Sequence, residues 1–117
     1  MEFEYFDSHD GGSRVAQFAD DYTHLAQKIS IPVSPFDSLS KTYKTSDVCL
    51  ILIDVEGYEL FALKGMRKFL TELSSGVDLI VEIFENNPAR DETVEYIKKL
   101  GFSALQIEKD NWSFRKD

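Results

Sequence analysis

The chain has 117 residues and a formal net charge of −8, with 43% hydrophobic and 29% charged residues. This length and composition are typical of one small domain with its own hydrophobic core. The negative charge argues against a nucleic acid or an anionic membrane as partner, because both repel an acidic chain.

Residues 1–47 are predicted to form an irregular segment that contains one hairpin. Residues 2–7 alternate loosely between apolar and polar side chains and are rich in aromatics, which favours a strand. The sequence His-Asp-Gly-Gly-Ser at residues 9–13 signals a turn. Residues 14–18 are then predicted to return as the second strand of the hairpin.

The second part of this segment is irregular in pattern. Residues 19–30 fit neither a helix nor a strand clearly, and residues 42–47 form a polar linker. Residues 31–36 contain two prolines, which restrict their own backbone and that of the preceding residues to extended conformations. A short helical turn is predicted to open at Asp37 or Ser38.

From residue 48 onward, strands and helices alternate. Strands are predicted at Val48–Ile53, Val77–Phe84, Phe102–Glu108 and Trp112–Phe114, and helices at Tyr58–Leu73 and Asp91–Leu100. Such alternation implies parallel pairing with right-handed crossovers, and the last two strands are predicted to form an antiparallel hairpin at the sheet edge. The fold class is therefore α/β with a mostly parallel sheet.

The first of these strands, Val48–Ile53, is apolar at every position, so it is predicted to be covered on both faces. Cys49, the one cysteine of the chain, is expected to act there as a small buried hydrophobe, which fits a reducing compartment.

No apolar run approaches the 18 residues of a membrane span. The prediction for the location is cytoplasmic.

The acidic turn that follows this strand is the predicted functional site. Ligands of parallel sheets bind outside the carboxyl ends of the strands, where Asp54 and Glu56 lie. Glu82 lies within the second apolar strand, where a carboxylate is costly unless it is paired or faces a site. Structural alternatives remain open: Asp54 could cap the following helix, Glu59 could be a first-turn helix charge, and Asn86 could serve the turn alone.

Three segments resemble the FkbM-type methyltransferases. They are Ile31-Pro-Val-Ser-Pro-Phe-Asp-Ser-Leu39, Leu50-Ile-Leu-Ile-Asp-Val-Glu-Gly-Tyr-Glu-Leu-Phe-Ala-Leu-Lys-Gly-Met66 and Leu79-Ile-Val-Glu-Ile83. The resemblance is good over residues 31–84 and weak elsewhere, and Leu52 stands where the family pattern has a lysine. It implies a Rossmann-like fold of the class I methyltransferase type and the use of S-adenosylmethionine to methylate a sugar or other small-molecule hydroxyl.

The resemblance also implies roles for the residues of the acidic site. Asp54 and Glu56 would be catalytic, orienting or deprotonating the acceptor hydroxyl. The residues expected to bind substrate or cofactor are Gly57, Glu59, Glu82 and Asn86. No metal site is predicted, although Asp54, Glu56 and Glu82 offer oxygen ligands that a divalent cation would accept.

The glycine-rich turn that such enzymes use for their cofactor is not recognised in this sequence. Gly11 and Gly12 follow a polar turn and not a buried strand. Residues 1–117 are therefore expected to form a single partial domain that matches the carboxyl-terminal half of a methyltransferase. The alternative is a non-catalytic module that forms a homodimer through the exposed edge of Val48–Ile53.

Overall fold

The computed structural model describes residues 1–5, 14–15, 27–39 and 41–117. The strands are β1 Glu2–Tyr5, β2 Arg14–Val15, β3 Gln27–Ser30, β4 Leu50–Ile53, β5 Asp78–Glu82, β6 Phe102–Glu108 and β7 Asn111–Lys116. The α-helices are α1 Glu59–Gly65, α2 Arg67–Glu72 and α3 Arg90–Lys99, and short 3-10 helices lie at Phe36–Ser38 and Thr45–Asp47. None of the helices in these ranges has the length and apolar character needed to cross a membrane.

The first three strands form a small antiparallel sheet in the order β2-β1-β3. The predicted hairpin is confirmed, since Phe3 of β1 lies opposite Val15 of β2. The pairing of β1 with β3 was not predicted, because residues 19–30 carry no clear strand pattern. Two backbone hydrogen bonds between Met1 and Ile31 extend this pairing beyond the strand ends.

The second sheet has four strands in the order β4-β5-β7-β6. Only β4 and β5 pair in parallel, and β7 is antiparallel to both of its neighbours. The prediction of a mostly parallel sheet is therefore wrong: the sheet is mixed. The predicted hairpin of β6 and β7 is confirmed, but β7 lies inside the sheet because its Trp112 and Phe114 are buried while β6 is exposed beyond Phe102.

One face of the four-stranded sheet packs on the helices and forms the hydrophobic core. The core joins alternate residues of the strands to apolar residues of the helices, among them Ile53, Leu79, Val81 and Phe114 of the sheet and Leu63, Leu70 and Ile97 of the helices. Both crossovers advance in the same direction across the sheet, and right-handed connections then place both sets of helices on the same face. The result is a fold of two layers.

The other face of the four-stranded sheet is exposed at β4, so the prediction that this strand is covered on both faces is wrong. Leu50 and Leu52 point away from the helices and are 54% and 67% exposed. Cys49 is also exposed, so its prediction as a buried hydrophobe is wrong. The strand is apolar at every position, as noted above. In the described part of the chain, however, β4 pairs only with β5.

The helix predicted at residues 58–73 is divided into α1 and α2 at Met66, whose φ of −121° and ψ of 22° interrupt the helical backbone. The carboxylate of Asp37 accepts hydrogen bonds from the backbone N–H groups of Lys68 (2.9 Å) and Phe69 (3.0 Å). A side chain 31 residues away in sequence thus satisfies amide groups at the start of α2, as a helix cap does. The sequence analysis predicted only that a short helical turn opens at Asp37 or Ser38.

Replacing Asp37 with alanine should lower the free energy of unfolding by about 1 kcal/mol, because two amide groups of α2 lose their acceptor. Asp37→Asn keeps one carbonyl oxygen and should lose about half as much. Urea denaturation followed by circular dichroism measures both changes. The control is Asp47→Ala, an exposed aspartate before β4; equal stability of the two alanine variants would contradict the capping role.

Candidate functional site

Two carboxyl groups meet where β4 and β5 end. The strands run in parallel with Ile53 beside Val81, so the next residues, Asp54 and Glu82, come side by side. Two neighbouring carboxyl groups repel each other when both are ionised, so protonation of one of them is favoured. The register of the two strands thus brings Asp54 and Glu82 together at one edge of the sheet.

The surroundings of Glu82 raise its pKa. Burial, the nearby Asp54, and the negative charges of Glu56 and Asp110 raise the pKa of Glu82 to about 7. Burial is the largest of these causes and the carboxylate of Asp54 the second. A carboxyl group with a pKa near neutrality can both give and accept a proton at physiological pH.

The turn after β4 has an unusual backbone. Glu56 adopts a φ of 52°, in the left-handed region, and Gly57 follows with a φ of 98°. A glycine tolerates this conformation without the steric cost that a side chain imposes. The backbone conformation of the turn therefore explains why a glycine lies at position 57.

The side chain of Glu59 holds this turn. Its Oε1 accepts hydrogen bonds from the backbone N–H groups of Gly57 (3.0 Å) and Val55 (3.4 Å). Glu59 is fully buried, although it is the first residue of α1. The structure thus places Glu59 inside the protein and bonded to the turn, away from the surface at which a ligand would bind.

A cleft of about 880 Å³ opens beside Asp54. Its walls are β4, one side of α1 and the extended segment before the first 3-10 helix, and they are mostly apolar; they include Val33, Pro35, Phe36, Leu50, Leu52, Tyr58 and Phe61. The rings of Tyr58 and Phe61 stack at 4.8 Å. Asp54 is the one predicted site residue among those that line the cleft, so it stands at the boundary between the apolar walls and the acidic pair.

The structure does not bring Asn86 into this cleft. Asn86 is exposed and lines a separate pocket of about 320 Å³ with Phe84, Glu85 and Asp110. Asp110 belongs to the site through its charge, which acts on Glu82, and its Oδ1 accepts a hydrogen bond from the Glu85 backbone (3.2 Å). Sequence reasoning missed Asp110 because only the insertion of β7 beside β5 brings the β6–β7 turn to this edge.

The carboxyl groups of the acidic turn were also considered as metal ligands. In residues 1–5, 14–15, 27–39 and 41–117, no three histidine, cysteine, aspartate or glutamate side chains are grouped so that they could hold a metal ion. The alternative of a divalent cation between Asp54, Glu56 and Glu82 therefore has no support from the geometry. Gly11 and Gly12 lie outside the described residues.

The family model described as the methyltransferase FkbM domain matches residues 2–104. The chain belongs to the FkbM methyltransferase family. The resemblance carried by the three sequence segments is thus confirmed, and the match also includes residues 2–30, where the resemblance was weak. In this FkbM domain the motif Asp54-Val55-Glu56-Gly57-Tyr58-Glu59 forms the acidic turn and the start of α1. No curated protein and no solved structure matches the chain.

Proposed function

We propose that this chain is an S-adenosylmethionine-dependent methyltransferase that acts on a hydroxyl group of a small-molecule acceptor, such as a sugar. The observation that carries the proposal is that the carboxyl groups of Asp54 and Glu82 lie side by side at the ends of two parallel strands, in a member of the FkbM family. Family membership supports methyl transfer in general. The carboxyl pair supports a hydroxyl as the acceptor, because a hydroxyl must lose its proton on methylation.

The two carboxyl groups have different tasks in this proposal. Asp54 lines the cleft and accepts a hydrogen bond from the acceptor hydroxyl, which orients the oxygen. The ionised form of Glu82, which its pKa of about 7 makes available at neutral pH, takes up the released proton through Asp54 and returns it to solvent. Glu56 adds a negative charge that keeps this end of the sheet attractive to a cation.

The residues of the cleft fit part of the proposed cofactor. S-adenosylmethionine supplies a cationic sulfonium that carries an electrophilic methyl group. The apolar and aromatic walls suit a purine ring, and the carboxylate of Asp54 suits a cation or a ribose hydroxyl. The three strands that run in one direction, with helices on their crossovers, are compatible with the proposed Rossmann-like fold.

A calorimetric titration of the 117-residue chain with S-adenosylmethionine and with its demethylated product tests the cofactor. Transfer of a labelled methyl group to a panel of sugars and other hydroxylated compounds tests the reaction. Micromolar binding with label in a product would support the proposal. A folded chain that neither binds the cofactor nor transfers label would overturn it for this chain.

A second candidate function is self-association through the edge of β4 that no strand of the described residues pairs with. Edge strands are commonly protected by bulges or charges, and β6, at the other edge, has an irregular register between Ala104 and Gln106 and ends in Glu108. The strand Leu50–Ile53 has neither feature, and its exposed Leu52 stands where the family pattern has a lysine. These observations favour pairing of β4 with β4 of a second copy.

Replacing Leu52 with lysine should shift this chain toward the monomer, because two lysines close to the symmetry axis would repel each other and would have to be desolvated. Sedimentation velocity over a 100-fold range of protein concentration measures the effect. The matched control is Leu105→Lys, which changes an exposed leucine on the other edge strand. A wild-type chain that stays monomeric, or an equal effect of both variants, would refute pairing through β4.

A further inference from the structure

In the described residues, the buried carboxylate of Glu59 forms hydrogen bonds only with the backbone of the acidic turn. Its Oε1 accepts the backbone N–H groups of Val55 and Gly57, while Oε2 is buried and has no hydrogen-bond partner in the described residues. The side chain is 0% exposed and does not line the cleft beside Asp54. Glu59 therefore cannot touch an acceptor or a cofactor in that cleft.

Burying a carboxylate is costly, and the cost must be offset by the hydrogen bonds it makes. For Glu59 these bonds go to the turn that carries the reactive residues, and not to another helix or to the core. Removing the acceptor would leave two amide groups of the turn without a partner. The position of the turn and the presence of the Glu59 carboxylate are thus coupled.

The turn needs such a support because its backbone is not in a relaxed conformation. Glu56 has a φ of 52°, in the left-handed region that residues with a side chain rarely adopt. Gly57 continues the turn with a φ of 98°. Asp54 directly precedes this segment, so a change in the turn moves Asp54 relative to Glu82.

We infer that Glu59 is a positioning residue that fixes the acidic turn of residues 54–57 against Glu82. The role of Glu59 in catalysis rests on the proposed methyl transfer. Its effect on the conformation of the turn does not depend on that proposal. The residue acts through Asp54 and Glu56 and is not itself catalytic. This assigns to the last glutamate of the Asp-Val-Glu-Gly-Tyr-Glu motif a task different from the ligand binding expected from the sequence.

The test compares two variants that keep the size of the side chain. Glu59→Gln retains an Oε1 acceptor for both amide groups, whereas Glu59→Met fills the space and accepts no hydrogen bond. The readout is the pKa of Glu82, followed by carbon-13 NMR of its carboxyl group, because the charges of Asp54 and Glu56 contribute to that pKa. Glu72→Met, an exposed glutamate at the end of α2, is the matched control.

We expect the pKa of Glu82 to stay near 7 in Glu59→Gln and to fall toward the ordinary glutamate value in Glu59→Met. In Glu59→Met kcat should fall about tenfold while KM for S-adenosylmethionine changes little, since a misplaced carboxylate affects the reaction more than binding. If Glu59→Met does not fold, Glu59→Asp replaces it in the comparison, because the shorter side chain of aspartate does not reach the turn.

A folded Glu59→Met or Glu59→Asp variant with an unchanged Glu82 pKa would overturn the inference. The failure of the proposed function is a separate result. If the wild-type chain transfers no methyl group but the Glu82 pKa responds as expected, Glu59 still positions the turn and only the reaction is wrong.

Discussion

Replacing Asp54 with asparagine should lower the rate of methyl transfer about 100-fold, which is within the range for the loss of a group that acts in proton transfer. The amide has nearly the shape of the carboxylate, so the cleft and the turn keep their form. It cannot accept the proton of the acceptor hydroxyl. The measurement is transfer of a labelled methyl group from S-adenosylmethionine to the acceptor that the panel of hydroxylated compounds identifies.

The control for this substitution is Asp47→Asn, which removes the same charge near the opposite end of β4. Asp47 is exposed and should tolerate the change with an unaltered rate. The loss in Asp54→Asn should appear in kcat, with KM for the cofactor nearly unchanged. An Asp54→Asn enzyme as fast as the wild type would remove Asp54 from the reaction.

Replacing Glu82 with glutamine should stabilise the protein at pH 8 by about 1–2 kcal/mol and leave its stability at pH 4 nearly unchanged. The folded state raises the pKa of Glu82 from 4.5 to about 7, so between these values it binds more protons than the unfolded state. The wild-type stability conferred by this proton is therefore complete below pH 4.5 and is lost as the pH rises through 7. The magnitude allows for the screening of a partly exposed group by solvent.

Denaturation curves at several pH values between 4 and 8 measure this effect. The difference between Glu82→Gln and the wild type should grow across the window and level off above pH 7. The control is Glu108→Gln, an exposed glutamate at the end of β6, which should give a difference independent of pH. A constant difference for Glu82→Gln would show that the pKa of Glu82 is not raised in the folded state.

Some elements were predictable because their signals are local. The helix expected at residues 91–100 is α3, Arg90–Lys99, and Gly101 follows it with a φ of 92°. The strand Phe102–Glu108 has the predicted bounds, and the hairpin with β7 is present. Periodicity, turn residues and a glycine at the helix end are properties of neighbouring residues, so they can be interpreted without the fold.

The acidic turn was proposed as the site for a different reason. Asp54 and Glu56 follow an apolar strand, and ligands of parallel sheets bind outside the carboxyl ends of the strands. That inference needed only the strand ends and one parallel pair. It did not reach Asp110, whose approach to Glu82 depends on the pairing of Glu82 with Asn111 across β5 and β7.

The break between α1 and α2 shows the limit of periodicity. The apolar residues from Tyr58 to Leu73 recur at helical spacing throughout, so nothing in the pattern marks Met66 as an interruption. The cap that starts α2 comes from Asp37, on the other side of β4 in sequence. A hydrogen bond between residues so far apart in sequence is set by packing and has no local signature.

The sequence by itself determined the family, the alternation of strands and helices, and the acidic turn after β4, because motifs and periodicity are carried by adjacent residues. The tertiary structure decided the mixed order of the sheet, since the burial of Trp112 and Phe114 places β7 beside β5. It also decided which acidic residues lie close together and that Glu59 is buried. These outcomes depend on which surfaces meet, and free energies of burial and pairing are properties of the folded chain.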